Sequence, residues 1–101
     1  MKYSLIKYRF QNGSEEAWHS DIAEFIAALD GDPALQGKIS YRCMKSRNGP
    51  EYFHLAAAAD DQAVKTLQER AFFARYKEKT RLASGGSVDV LPLEIVAETK
   101  R

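Results

Sequence analysis

In this chain of 101 residues, acid–base or charge-stabilising chemistry would fall to two histidines, His19 and His54, and to two arginines inside strand-like stretches, Arg9 and Arg42. His54 lies two residues from both Tyr52 and Ala56, so on a strand the three share one face. With small alanines beside it, His54 could line a cavity and remove a phenolic proton, since imidazole titrates near neutral pH. The competing reading is a structural histidine, hydrogen-bonded within the sheet or at a subunit interface. Arg42 is flanked by Tyr41 and Cys43, which point the opposite way, and it shares a face with Met44. A guanidinium facing a pocket could stabilise an enolate or a carboxylate. An edge position or an ion pair is the alternative for both Arg42 and Arg9. His19 follows Trp18 at the rim of an apolar stripe, where it reads as a surface residue.

Trp18, Phe72, Phe73 and Tyr76 could form walls that clamp a planar substrate. They could equally be core. Phe72, Phe73 and Tyr76 crowd more rings into one stretch than a single helical stripe accommodates. Cys43, the only cysteine, reads as a small buried hydrophobe rather than a nucleophile. Two histidines on separate elements, with no Asp or Glu at ligand spacing, lead us to expect no metal. Gly85-Gly86 follows a helix instead of opening one, which is not the arrangement of a phosphate loop.

The elements that must position these groups are marked off by turn-forming clusters at Asn12-Gly13, Gly31-Asp32-Pro33, Asn48-Gly49-Pro50 and Gly85-Gly86. Tyr3 to Phe10 reads as a strand with apolar groups on both sides. Ser14 is placed to cap a helix, with Glu15 and Glu16 in its first turn and Trp18, Ile22, Phe25, Ile26 and Leu29 as its stripe. Gly31 fits its end. Ile39 to Lys45 and Glu51 to Ala59 form a hairpin over residues 46–50. Asp60 or Asp61 opens one long helix through about Ala83, with Val64, Leu67, Ala71 and Ala74 inward. Ser87 to Glu98 is a last strand region, interrupted by Pro92, which marks an edge, a bulge or a crossing point. The order β-α-β-β-α-β predicts an α+β, ferredoxin-like domain over residues 1–101. It has a four-stranded antiparallel sheet, two helices on one face and a C-terminal strand-like tail.

Composition narrows the partners. Fifteen basic against fourteen acidic residues leave a net charge of +1, so nothing drives the chain toward nucleic acid or acidic membranes. The longest apolar run, Leu55 to Ala59, is far short of a membrane span. Met1 to Leu5 shows no signal-peptide core, and a single cysteine cannot form an internal disulfide, which predicts a cytoplasmic protein. The strands also carry large apolar groups on both faces. Tyr3 and Leu5 oppose Ile6 and Tyr8, and Tyr52 opposes Phe53 and Leu55. A sheet face that apolar is seldom left in water, which predicts a homodimer closed sheet against sheet. The tail Leu91 to Ala97 could pair with the partner's sheet edge or fold back on its own chain.

The segment order, the aromatic-rich stretch Gln68 to Tyr76 and the closing Val88 to Val96 resemble the dimeric α/β-barrel superfamily, in particular the antibiotic biosynthesis monooxygenase-like domains. The resemblance covers nearly the whole chain. It implies a dimer through the sheets and a small pocket between sheet and helices in each subunit. Some members oxidise polycyclic aromatic phenols with molecular oxygen and no cofactor, whereas others cleave haem or isomerise lactones. Phe72-Phe73 stands where many relatives carry a His-Phe pair, and the second helix has no histidine, so haem cleavage is not expected. The resulting expectation is a cofactor-free small-molecule enzyme or binder. His54 would be base, Arg42 would stabilise charge, and Trp18, Phe72 and Tyr76 would stack on an aromatic ligand. The alternatives are a non-catalytic dimeric module with a closed core, or a lactone isomerase-like enzyme.

Overall fold

Capping and turn chemistry set the element boundaries. The structure is a computed structural model and describes residues 1–100. Strand β1 (Lys2–Arg9) leads through the Asn12-Gly13 turn to Ser14, whose Oγ accepts a hydrogen bond from the Ala17 N–H at 3.1 Å and starts helix α1 (Glu15–Asp30). Glu15 and Glu16 sit in the first turn, where the helix dipole favours them. Trp18, Ile22, Phe25 and Leu29 are buried along one side, as their spacing predicts. Leu35, in the loop after α1, is only 1% exposed and plugs the core. No periodicity announces it, because it belongs to no regular element.

Strands β2 (Ile39–Lys45) and β3 (Glu51–Ala58) form the expected hairpin, with Lys45 opposite Tyr52. Asp60 then accepts from the Ala63 N–H at 2.8 Å and caps helix α2 (Asp61–Gln68). The single helix expected through Ala83 is in fact two. Arg70 is extended (φ −81°, ψ 132°) and opens helix α3 (Ala71–Ala83). Its guanidinium donates to both oxygens of Asp32, at 2.7 and 3.4 Å, tying the break to the loop after α1. Those bonds hold the Asp32 carboxyl below the usual carboxylate range. The break also resets the helical phase. Ala71 and Ala74, expected inward, are exposed, and Tyr76, Thr80 and Ala83 are buried instead. Gly85 and Gly86, at φ +70° and +92°, end α3 in a conformation that a side chain would strain.

Strand β4 (Val88–Leu93) is shorter than the expected 87–98, and residues 94–100 form no strand. The sheet order is β2-β3-β1-β4, antiparallel throughout, so Pro92 sits on an edge strand, where a missing N–H is tolerated. This is the expected ferredoxin-like α+β fold. Tyr8, Tyr52 and His54 face the helices, and Tyr8 stacks on Tyr52 with ring centroids 5.4 Å apart. Leu5, Phe53, Leu55, Met44, Leu91 and Leu93 lie on the other face by strand alternation. Among the described residues, no helix is long and apolar enough to cross a membrane. No cluster of three or more His, Cys, Asp or Glu there could hold a metal ion.

Candidate functional site

The strand registers arrange the helix-facing side of the sheet in rows. Tyr8 pairs with Tyr52 in one row, and Ile6, His54 and Cys43 form the next. Ser4, Ala56 and Tyr41 follow, and then Lys2, Ala58 and Ile39. Rings fill the first row. In the last two, Ser4, Ala56 and Ala58 are small, and beside them, beneath α2 and α3, a cavity of about 580 Å³ opens. Ser4, Ile6, Ile39, Ala56, Ala58 and Val90 line it from the sheet, and Val64, Leu67, Phe73 and Tyr76 from the helices. Tyr41 also lines it, and Lys2, Asp61, Lys77 and Arg81 supply its charged groups. A volume of this size is in the range of small-molecule sites.

His54 stands at the boundary between filled and hollow rows and is fully buried. Its ring links a chain of hydrogen bonds whose direction follows from counting hydrogens. Trp18 Nε1–H can only donate, and it donates to Tyr8 Oη at 2.8 Å. The Tyr8 hydroxyl must then place its own hydrogen, and the acceptor in reach is His54 Nε2, also at 2.8 Å. Nε2 therefore carries no hydrogen, and the neutral ring bears it on Nδ1. That N–H faces Tyr41 Oη at 2.8 Å and Tyr76 Oη at 3.1 Å, and the two oxygens are 3.2 Å apart. One of the two tyrosine hydrogens can bridge the oxygens. The other turns either to the Cys43 thiol, which the Tyr76 hydroxyl also approaches, or into the cavity that both rings line. Donors aligned in series polarise one another, which sharpens the last one.

The ionisation states agree with this count. Burial pulls the His54 pKa down to about 4, so the ring is neutral at pH 7. Burial likewise raises Tyr8, Tyr41 and Tyr76, so all three stay protonated. The Cys43 thiol is pushed up to about 11 by burial and is no nucleophile at neutral pH. Among the described residues, every buried side-chain nitrogen and oxygen has a hydrogen-bond partner.

Of the residues expected from sequence to form the site, Tyr76 lines the cavity, as does Phe73 of the candidate aromatic walls. His54 sits behind Tyr41 and Tyr76. Its Nε2 is occupied by Tyr8 and its Nδ1 bears a hydrogen, so it has no free lone pair to offer as a base. Arg42 is exposed and lies on the opposite face of the sheet, because the register sets its neighbour Cys43 opposite His54. It does not reach the cavity. Trp18 is a core residue, stacked on Tyr76 with centroids 5.8 Å apart. Phe72 lines a separate hollow of about 70 Å³ beside Asp21 and Arg75, and its neighbour Phe73 takes the cavity wall. His19 is exposed, with Nε2 2.7 Å from Tyr52 Oη, and Arg9 lies 3.9 Å from Glu51. Tyr41 is the functional candidate that sequence reasoning missed. The hairpin register was the available signal, since it places Tyr41 one row from His54 on the same face.

No protein-family model matches the chain, and no curated protein matches it in sequence. Solved structures do match it in shape. A mutant of SnoaB, described as a cofactor-independent oxygenase from Streptomyces nogalater, superposes with TM-score 0.76 at 14% identity, over 99% of this chain and 98% of that one. Rv0793 from Mycobacterium tuberculosis gives 0.76 at 13% identity over 98% of each chain. A structure described as an antibiotic biosynthesis monooxygenase gives 0.75 at 12% identity, over 96% of this chain and all of that one. With a four-stranded antiparallel sheet, helices on one face and near-complete coverage in each comparison, the chain has the fold of the antibiotic biosynthesis monooxygenase-like proteins.

Proposed function

We propose that this protein is a small-molecule enzyme of the monooxygenase-like type, acting on an aromatic, phenolic compound in the cavity between sheet and helices. The observation that carries the reading is the donor chain Trp18–Tyr8–His54–Tyr41/Tyr76, whose last two rings line the cavity. A donor fixed in an apolar site favours negative charge building on a ligand oxygen. It would ease formation of a phenolate, whose proton passes to water. Oxidation of a phenol to a quinone by molecular oxygen then needs no external reductant. The substrate supplies all four electrons, one oxygen atom joins carbon and the other leaves as water. A cytoplasmic setting belongs to the same reading, supported by the lone Cys43.

The test is oxygen uptake and thermal stabilisation with a panel of polycyclic phenols, repeated with Tyr41→Phe and Tyr76→Phe. The expected result is uptake that falls about 100-fold in the double variant, the scale of losing a charge-stabilising donor. No stabilisation and no uptake across the panel would sink the reading. Turnover that persists without oxygen would favour a lactone isomerase-like reaction, and binding without turnover a non-catalytic module.

The proposed working unit is a homodimer closed through the outer sheet face. Met44, Leu91 and Leu93 are each at least 44% exposed there, beside half-buried Leu5, Phe53 and Leu55. The chain's own tail does not bury itself against this face, since Val96 is 95% exposed and Ile95 47%. A second copy would cover it with a surface of the same kind. Light scattering should give twice the 11.4 kDa chain mass, and Leu55→Asp should halve it. A single-chain mass for the unaltered protein at micromolar concentration refutes the dimer.

A further inference from the structure

The charged groups at the cavity are unbalanced, with Lys2, Lys77 and Arg81 against Asp61. Lys2 is paired with Asp61, and Arg81 with Glu78. Among the described residues, no carboxylate comes within 4.0 Å of Lys77. Its Nζ lies instead 5.0 Å from the centroid of the Phe73 ring, itself part of the cavity wall. Lys77 and Arg81 are also one helical turn apart on α3, a spacing at which like charges repel and weaken the helix. The hydrophobic wall thus carries a cation pair that the chain itself leaves partly uncompensated. An anion between them would relieve the repulsion, and a ligand in the cavity is placed to bring one.

We propose that the ligand is an aromatic carboxylic acid, with its carboxylate at Lys77 and Arg81 and an acceptor oxygen at Tyr41 and Tyr76. The proposal rests on the cavity being a ligand site and names the chemical class it takes. Tyr76 and Arg81 are five residues apart, about 7.5 Å along a helix axis. The two polar groups of the ligand would thus sit at opposite ends of a flat body, for which two fused rings bearing a hydroxyl and a carboxylate serve as the probe. The apolar lining from Ala56, Ala58, Val64 and Phe73 suits its faces.

Isothermal titration with 6-hydroxy-2-naphthoate and with its neutral analogue 6-hydroxy-2-naphthamide tests the proposal. The acid should bind about tenfold more tightly than the amide, the scale of one charge-assisted contact. That advantage should shrink with added salt and vanish in the Lys77→Gln, Arg81→Gln double variant, to which acid and amide should bind alike. Equal affinity of acid and amide for the unaltered protein overturns the anion proposal and leaves the cavity reading standing. An acid preference that survives in the double variant overturns its assignment to these two residues. Failure of both probes to bind overturns the proposal together with the reading beneath it.

Discussion

Where Tyr8 and Tyr52 lie, the space between sheet and helices is filled with rings, whereas two and three rows along the same strands Ala56 and Ala58 leave it hollow. Both ends use the same strands and the same register. At the filled end Tyr8 stacks on Tyr52 and meets Trp18 edge-on, at 6.2 Å between centroids. At the hollow end the strands offer Ser4, Ala56 and Ala58, and the space between these and the side chains of α2 and α3 stays open. His54 divides the two. Packed rings therefore lie mainly on one side of the histidine and open volume on the other, and each can be changed with limited damage to the other.

Trp18→Ala should have the largest effect, because it removes a buried ring and the first donor of the chain at once. A loss of roughly 3–5 kcal/mol is expected in chemical denaturation. Phe73→Ala, on the cavity wall, should cost clearly less, since one side of that half-buried ring already meets open space. Equal costs would erase the contrast between the ends.

Acid should strain the boundary next. The His54 pKa is lowered by burial from 6.5 to about 4, so between those values the unfolded chain binds the extra proton and the folded chain does not. The stability that this shift contributes is complete above pH 6.5 and is lost as pH falls toward 4, about 3 kcal/mol in all. His54→Phe should flatten that part of the pH profile. It should also cost about 1–3 kcal/mol at pH 7, because the Tyr8 hydroxyl loses its acceptor inside the core. A pH profile unchanged by the substitution would show that the ring ionises freely when folded.

The smallest stability change should come with a large change in binding. Ala56→Leu adds bulk to the cavity floor and should alter stability by less than about 1 kcal/mol, because the volume is already there. Ligand affinity should fall at least tenfold. A calorimetric titration of this variant that matches the unaltered protein would show that binding occurs elsewhere.

How much of this could be read from residues alone differs between the two ends. The filled end was largely legible, because helical spacing exposes Trp18, Ile22 and Phe25, and turn residues mark every strand. The face shared by Tyr52, His54 and Ala56 was legible too, as alternation within one strand requires no partner. Arg42 and Tyr41 were misjudged because alternation shows which residues of a strand agree, not which strand face meets which. Only the hairpin register, Cys43 opposite His54, settles that. The hollow end was illegible for another reason. It depends on the phase reset at Arg70, held by Asp32 far away in sequence, and a continuous helical pattern conceals such a break.

The chain contains one tryptophan. Trp18 stacks on Tyr76 at 12° between ring planes, and Tyr76 lines the cavity, so the indole stands a single ring behind whatever enters. The protein carries its own optical gauge of occupancy: its emission colour and intensity should follow loading directly, with no dye or label attached.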